Sequence, residues 1–278
     1  METFENRTAV ITGAASGIGR GTALALAKRG AHITVVDRDE KSGAEAAEEI
    51  KSLGVDSLFV EFDVASTSFE PLREAVLKHF GKIDILMNNA AVVTRGLFEH
   101  LPDEEWLRLI NIDLMSVVRG TRAFLPDMIA QGAGHIVNTS SFNGLYTYSF
   151  DRLPYGAVKA GIVQLSEGLA IYLRPKGIHV TLLCPGPVAT NIAKSFRFFG
   201  PPTEMRGPGA EFEFMDANVV GEMVADAIRA KKFFLPTHPE VTHLLVQRAQ
   251  TWDAFLEHQI EHPHVLTIPG ERVQGGQE

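Results

Sequence analysis

Tyr155 and Lys159 stand four residues apart in the run Tyr155-Gly156-Ala157-Val158-Lys159, which puts both on one helix face, a turn apart. An ammonium so placed stabilises a phenolate and draws a tyrosine below its ordinary pKa of about 10. A phenol tuned in that way trades a proton with an alcohol or carbonyl near neutral pH. Ser141, fourteen residues earlier, follows the strand-like run His135-Ile136-Val137-Asn138, so a neighbouring strand end can bring its hydroxyl to the same substrate oxygen. The spacing recurs at Tyr172 and Lys176, but Pro175 intervenes and Gly177 follows, so this second pair falls where a helix ends. The first pair has about four turns of helix beyond it and is the one the chain must position.

The elements that would do so alternate along the chain. Arg7–Thr12 reads as a buried strand, followed by Thr12-Gly13-Ala14-Ala15-Ser16-Gly17-Ile18-Gly19, a helix from Gly17 to Arg29, and a strand from Ala31 to Val36 closed by Asp37. Strand, glycine turn, helix, strand and acid is the setting in which glycines admit a pyrophosphate to the positive end of a helix. Asp37, eighteen residues past Gly19, is placed to bond ribose hydroxyls and repel a 2′-phosphate, which favours NAD over NADP; Arg38 softens that repulsion. A helix over Glu40–Leu53 and a strand over Asp56–Phe62 follow. Thr67 and Glu70 form a capping box for a helix running to Phe80. Ile83–Met87 is a further strand, and Asp103 to about Ala130 a long helix that Pro126 should bend or interrupt. This alternation predicts an α/β fold with one doubly wound parallel sheet and helices on both faces.

The composition narrows the class. With 278 residues, 45% of them hydrophobic, the chain can build one large α/β domain or two small ones, and the alternation runs without repeat or linker. A net charge of −8 with no basic run argues against a nucleic-acid partner and against an anionic membrane surface. The one cysteine, Cys184, excludes an internal disulfide and a cysteine-rich zinc site and suits a reducing compartment. The N-terminus has no charged-then-apolar leader, and no run approaches the ~18 apolar residues of a membrane span. The expectation is a cytoplasmic protein without membrane contact.

Six ordered motifs now carry a resemblance: Thr12-Gly13-xxx-Gly17-Ile18-Gly19, Asp63-Val64, Asn88-Asn89-Ala90, Asn111, Ser141 with Tyr155-xxx-Lys159, and Pro185-Gly186 with Thr190. Over residues 5–236 the chain resembles a short-chain dehydrogenase/reductase. The resemblance implies a Rossmann-type sheet of about seven strands forming a single domain over residues 1–278, with a substrate lid at 191–215 and an extension at 237–278. It implies a cofactor site of Gly13, Ser16, Gly17, Ile18, Gly19, Asp37, Asp63, Val64, Asn89, Ala90, Tyr155, Lys159, Pro185, Gly186, Val188 and Thr190. In it Asp63 and Val64 flank the adenine, Asn89 and Ala90 form the floor, and Thr190 meets the nicotinamide carboxamide. Tyr155 acts as acid/base, Lys159 tunes it and holds the nicotinamide ribose, Ser141 (or, failing it, Ser140) polarises the reacting oxygen, and Asn111 seats a proton-relaying water. The loop from Phe142 to Pro154 is one residue longer than the family usually has. It also implies a homodimer or homotetramer.

The second half supplies the substrate side. Tyr146, Tyr148 and Phe150 in the loop before Tyr155 either wall the pocket or plug the core. Phe196, Phe198, Phe199, Phe212 and Phe214, set among prolines and glycines in the lid, suggest a bulky apolar substrate or subunit contacts. Asp216–Ala230 reads as a helix and Lys232–Pro236 as the last strand. In the extension Val241, Leu244, Leu245, Arg248, Trp252, Phe255, Leu256 and Ile260 share one helical stripe, which predicts one extra C-terminal helix packed over the substrate end. His258, Glu261, His262 and His264 read as a solvated cluster, and no metal is expected. The leading expectation is therefore an NAD-dependent dehydrogenase of a bulky secondary alcohol, or the reductase of the matching ketone. The alternatives are a 3-oxoacyl-thioester reductase using NADPH, against which Asp37 speaks, and a non-catalytic NAD-binding scaffold, against which the intact Ser141, Tyr155 and Lys159 speak.

Overall fold

The computed structural model describes residues 4–265. The first half alternates as its apolar periods dictate: β1 (Thr8–Thr12), α1 (Gly17–Ala27), β2 (His32–Asp37), α2 (Glu40–Lys51), β3 (Ser57–Glu61), α3 (Glu70–Phe80) and β4 (Ile85–Asn88). A short β5 (Thr94–Gly96) precedes α4 (Asp103–Leu109), a π-helical turn (Ile110–Leu114) and α5 (Met115–Gln131). Then come β6 (Gly134–Thr139), the one-turn α6 (Phe142–Leu145), α7 (Leu153–Leu173) and β7 (Ile178–Cys184). The short strands β8 (Val188–Ala189), β9 (Arg197–Phe199) and β10 (Met215–Asp216) lead to α8 (Ala217–Arg229), β11 (Phe234–Pro236), α9 (Val241–Gln250) and α10 (Trp252–Glu261).

Seven strands form one parallel sheet in the order β11-β7-β6-β4-β1-β2-β3. Because helices cover both faces, the central strands are apolar nearly throughout. Ala9 and Ile11 of β1 pack with α1, α2 and α8, while Val10 between them packs with α3 and α5. The chain runs outward from β1 to β3 and then crosses back to β4 on the other side of β1. Neighbouring connections therefore diverge at the β1/β4 carboxyl ends and leave a crevice there. Among the described residues no helix is long and apolar enough to cross a membrane.

Three local expectations are corrected. Pro126 does not interrupt the helix after Asp103: α5 runs through it to Gln131, with the ring on the exposed side. The break comes earlier, where the helix widens into a π turn at Ile110–Leu114 and rotates the side chains that follow. Thr67 does not cap α3. That helix starts at Glu70, with Pro71 in its first turn; the Ser68 hydroxyl accepts from the Glu70 amide at 3.2 Å, and the Glu70 carboxylate pairs with Arg73. The C-terminal stripe is two helices, broken at Thr251 (φ −146°, ψ 75°). The break puts Phe255 on the core against Tyr146, ring centroids 5.9 Å apart, and leaves Trp252 59% exposed with the Arg248 guanidinium over its ring. Arg248 also donates to the Leu145 carbonyl at 2.7 Å, so the extension packs on the loop between β6 and α7.

Candidate active site

The crevice is a cavity of about 750 Å³ whose lining crosses the sheet from Asp37 and Arg38 at β2, past Asn89 and Ala90 after β4, to Ser141 after β6 and Pro185 after β7, and includes Arg152, Met205 and Arg206. Its first half grows from β1. After Thr12 the backbone turns at Gly13 (φ +67°), and α1 starts within the same loop. A Cβ on Gly19 would lie 2.3 Å from the Gly13 carbonyl oxygen, so the loop closes only with glycine there. Ser16 at the start of α1 makes no side-chain cap bond, and the first turn holds no acid. The positive helix end is thus left for a ligand. Asp37, at the end of β2, accepts from the Ala15 amide at 3.1 Å and from the Asp39 amide at 3.2 Å, which fixes its carboxylate beside the loop.

The floor is a set of strand ends tied together. The Thr12 hydroxyl accepts from the amides of Asn89 (2.9 Å) and Ala90 (3.2 Å). The Asn89 side chain donates to the Thr12 carbonyl at 3.1 Å and accepts from the Thr139 hydroxyl at 3.3 Å. Asn88, buried, donates to Asn138 and Thr121. Asp63 accepts from the Ala65 amide at 2.9 Å. Gly13, Ser16, Gly17, Ile18, Asp37, Asp63, Val64, Asn89, Ala90, Pro185, Gly186, Val188 and Thr190 all line the cavity; Gly19 lies behind the loop. An uncapped helix end, a glycine cradle and a carboxylate at the tip of β2 fit an extended ligand with a diphosphate at its middle and a ribose against Asp37.

The second half grows from β6 and α7. Ser140 and Ser141 follow β6 directly. The Ser140 hydroxyl is engaged structurally, donating to the Lys159 carbonyl at 2.7 Å. Ser141 starts α6, accepts from the Asn143 amide at 3.2 Å and faces the cavity, where its hydroxyl holds down the pKa of both Tyr148 and Tyr155. Ser140 lines the cavity too, but its hydroxyl proton is engaged by the Lys159 carbonyl. Lys159 is buried; its ammonium donates to the Thr139 carbonyl at 3.1 Å and lies 5.4 Å from the Tyr155 ring centroid. The Tyr172–Lys176 pair makes a similar contact, 4.5 Å, but on the exposed end of α7 and outside the cavity.

Asn111 is not where the resemblance puts it. Its amide donates to the Ala65 carbonyl at 3.2 Å, and it does not line the cavity. The π turn instead points Asp113 inward, fully buried, with one carboxylate oxygen accepting from the Val92 amide at 3.0 Å and the other 3.8 Å from the Lys159 ammonium without a hydrogen-bond partner. Asp113 was missed in the sequence; an acid inside the apolar run Ile110-Asn111-Ile112-Asp113-Leu114 was the available signal. Burial pushes its carboxyl up to about 6, with Lys159 pulling the other way. The same burial pushes the Lys159 ammonium down, with Asp113 holding it up. Tyr155 does not show the expected lowering: burial raises its pKa above the usual phenol value, Asp113 adds to that, and Ser141 and Arg152 oppose it. The carboxylate behind Lys159 offsets the field the ammonium would otherwise exert.

The aromatic residues divide. Tyr148, Phe196 and Phe214 line the cavity; Phe142, Tyr146 and Phe212 pack into the core; Phe198 is exposed. The segment after Thr190 is held by two small ribbons, β8 with β10 and β5 with β9. His258 and His262 stack at 4.7 Å, and among the described residues no group of three or more His, Cys, Asp or Glu side chains is arranged to hold a metal ion.

The description "short chain dehydrogenase" belongs to the family model that matches residues 7–198. "Probable oxidoreductase EphD" of Mycobacterium tuberculosis is 34% identical over 248 residues, covering 85% of this chain but only 42% of that protein, so the chain spans less than half of that relative's length. "Trans-4-hydroxycyclohexanecarboxylate dehydrogenase" of Sinomonas cyclohexanicum is 39% identical over 193 residues, 66% of this chain and 73% of the relative. Among solved structures, a short chain dehydrogenase/reductase from Burkholderia phymatum in complex with NAD superposes with a TM-score of 0.80 at 30% identity, covering 91% of this chain and 96% of the other.

Proposed function

Because the chain belongs to the short chain dehydrogenase family, we propose that it transfers hydride between NAD and a bulky, largely apolar secondary alcohol or the matching ketone. The observation that carries this reading is one cavity in which the Gly13–Gly19 loop and Asp37 lie at one end and Ser141, Tyr155 and buried Lys159 further along, beside Phe196 and Phe214. The NAD-bound relative from Burkholderia phymatum and the hydroxycyclohexanecarboxylate dehydrogenase support the cofactor and the alcohol chemistry.

Gly13, Ser16, Gly17 and Ile18 would hold the diphosphate, Asp37 the adenosine ribose, Asp63 and Val64 the adenine, and Asn89, Ala90, Lys159, Pro185, Gly186, Val188 and Thr190 the nicotinamide half. NAD supplies the hydride acceptor. Tyr155 takes the hydroxyl proton at its phenolic oxygen in oxidation and returns it in reduction. Ser141, held at the start of α6, donates to the same substrate oxygen and fixes its position. Lys159, anchored on the Thr139 carbonyl, keeps a positive charge beneath Tyr155 as the phenolate forms. Asp113 sets how strongly that charge is felt.

The test is nicotinamide absorbance with a panel of cyclic and long-chain secondary alcohols and ketones, run with both cofactors. NAD is expected to exceed NADP by about tenfold or more in kcat/KM, and Asp37→Ala to narrow the gap, because the substitution removes ribose bonds and phosphate repulsion together. A wild-type preference for NADPH would overturn the cofactor assignment.

A further inference from the structure

The charges that line the cavity are not evenly spread. Its carboxylates lie on the nucleotide side, together with Arg20 and Arg38: Asp37 ends β2, Asp63 follows β3, and Asp216 caps α8, whose first residue packs on α1 at Gly21. The substrate end has two lining charges, Arg152 and Arg206, both positive. Its other walls are Tyr148, Phe196, Met205, Pro208 and Phe214. A cationic end to an apolar pocket, in a chain of net charge −8, calls for an explanation.

Arg152 is held rigidly. It sits immediately before α7, three residues from Tyr155, with its side chain 10% exposed. Its Nε donates to the Ser149 hydroxyl at 3.1 Å, one Nη donates to the Arg206 carbonyl, and its guanidinium lies over the Tyr148 ring at 5.6 Å. Its one acidic neighbour among the described residues, Asp151, is already taken. Asp151 pairs with Arg95 at 2.6 Å and accepts from the hydroxyls of Ser149 and Thr203, leaving Arg152 a looser contact at 3.3 Å. Two buried guanidiniums thus share one carboxylate, and the surplus charge is on the one that lines the cavity. Leaving a buried charge half-compensated is costly unless a ligand completes it. Arg206, stacked over Phe150 at 4.6 Å, adds a second cation at the same end.

We propose that Arg152, with Arg206 beside it, binds a carboxylate carried by the substrate at the end opposite its hydroxyl. The substrate is then an apolar hydroxy acid or keto acid rather than a neutral alcohol. This rests on the dehydrogenase reading for the position of the reacting oxygen, between Ser141 and Tyr155. The Arg152 Nη that makes no hydrogen bond among the described residues suits a carboxylate oxygen, and the apolar walls between it and Tyr155 suit a hydrocarbon body. Fixing the far end also orients the carbinol carbon, so the subsite serves selectivity and positioning together.

The experiment uses the full chain with NAD present and two arms. Calorimetry compares octanoate with octanamide as non-reacting probes, and kinetics compares secondary alcohols that differ only in carrying a carboxylate or a carboxamide at the far end. The carboxylate of each pair is expected to be favoured by roughly ten- to a hundred-fold, in affinity and in KM, with kcat changed less. Arg152→Gln should erase the preference. Arg206→Gln, which leaves the Ser149, Asp151 and Arg152 side-chain contacts in place, should narrow it, and this variant tests the subsite even where Arg152→Gln folds poorly. Equal binding of acid and amide, or a preference that survives both substitutions, overturns the subsite. Turnover of neutral alcohols without charge preference leaves the dehydrogenase reading standing and removes the subsite. Arginine-dependent octanoate binding without turnover of any alcohol does the reverse.

Discussion

Behind the cavity wall Asp113 lies 3.8 Å from Lys159, both almost wholly buried. Each favours the charged form of the other against the burial that opposes it, and Tyr155 reports the balance. The Asp113 carboxylate disfavours a second negative charge nearby, so it raises the Tyr155 pKa. Asp113→Asn removes that repulsion while keeping the acceptor for the Val92 amide. The phenolate then forms more easily, and the rising limb of kcat/KM for alcohol oxidation is expected to move to lower pH by on the order of one unit. A pH-rate profile of the variant checks the sign: a limb that stays or moves to higher pH would remove Asp113 from this role. That residue was not legible in the chain because the π turn adds a residue to one helical ring. Straight helical counting cannot tell which side chain between Ile110 and Leu114 turns inward.

The elements divide by how local their causes are. The alternation of β1 to β4 with α1 to α3, the glycine loop and the pair on α7 were readable because periodicity, glycine and four-residue spacing act over a few residues. The short ribbons β5–β9 and β8–β10 were not, since they pair segments about a hundred and about thirty residues apart whose sequence gives no strand signal. The same holds for the extension, whose apolar stripe was visible but whose break at Thr251 was not. That break separates two large side chains on one stripe into a core residue and a surface one. Phe255→Ala is expected to cost about 2–4 kcal/mol of stability, because it opens a cavity beneath Tyr146. Trp252→Ala should cost under about 1 kcal/mol, the scale of an exposed cation–π contact. Chemical denaturation of the two variants decides it, and equal losses would mean that Trp252 is packed as firmly as Phe255. Since Tyr146 lies in the loop that carries Ser141 and Tyr148, Phe255→Ala should also raise KM for the proposed bulky substrate.

On the scale of the whole molecule, the sheet order places one crevice at the β1/β4 carboxyl ends, and Asp37, Ser141, Tyr155 and Lys159 all open onto it. The Gly13–Gly17 loop, Tyr155 and the two arginines Arg152 and Arg206 line a single cavity, so a ligand in one half is next to the other. The cavity's position follows from topology; the arginines at its far end could not be anticipated, because residues 95, 151, 152, 203 and 206 meet only once the segment 191–215 has folded onto the start of α7. The central claim is that hydride transfer here depends on the proton carried by Tyr155. Steady-state nicotinamide absorbance with Tyr155→Phe, beside calorimetry of NAD binding and the control Tyr172→Phe, tests it most directly. Tyr155→Phe is expected to lose roughly a hundred- to ten-thousand-fold in kcat while NAD affinity stays within about twofold, and Tyr172→Phe to keep most of its activity. A Tyr155→Phe protein that turns over normally, or a Tyr172→Phe protein that does not, would contradict it.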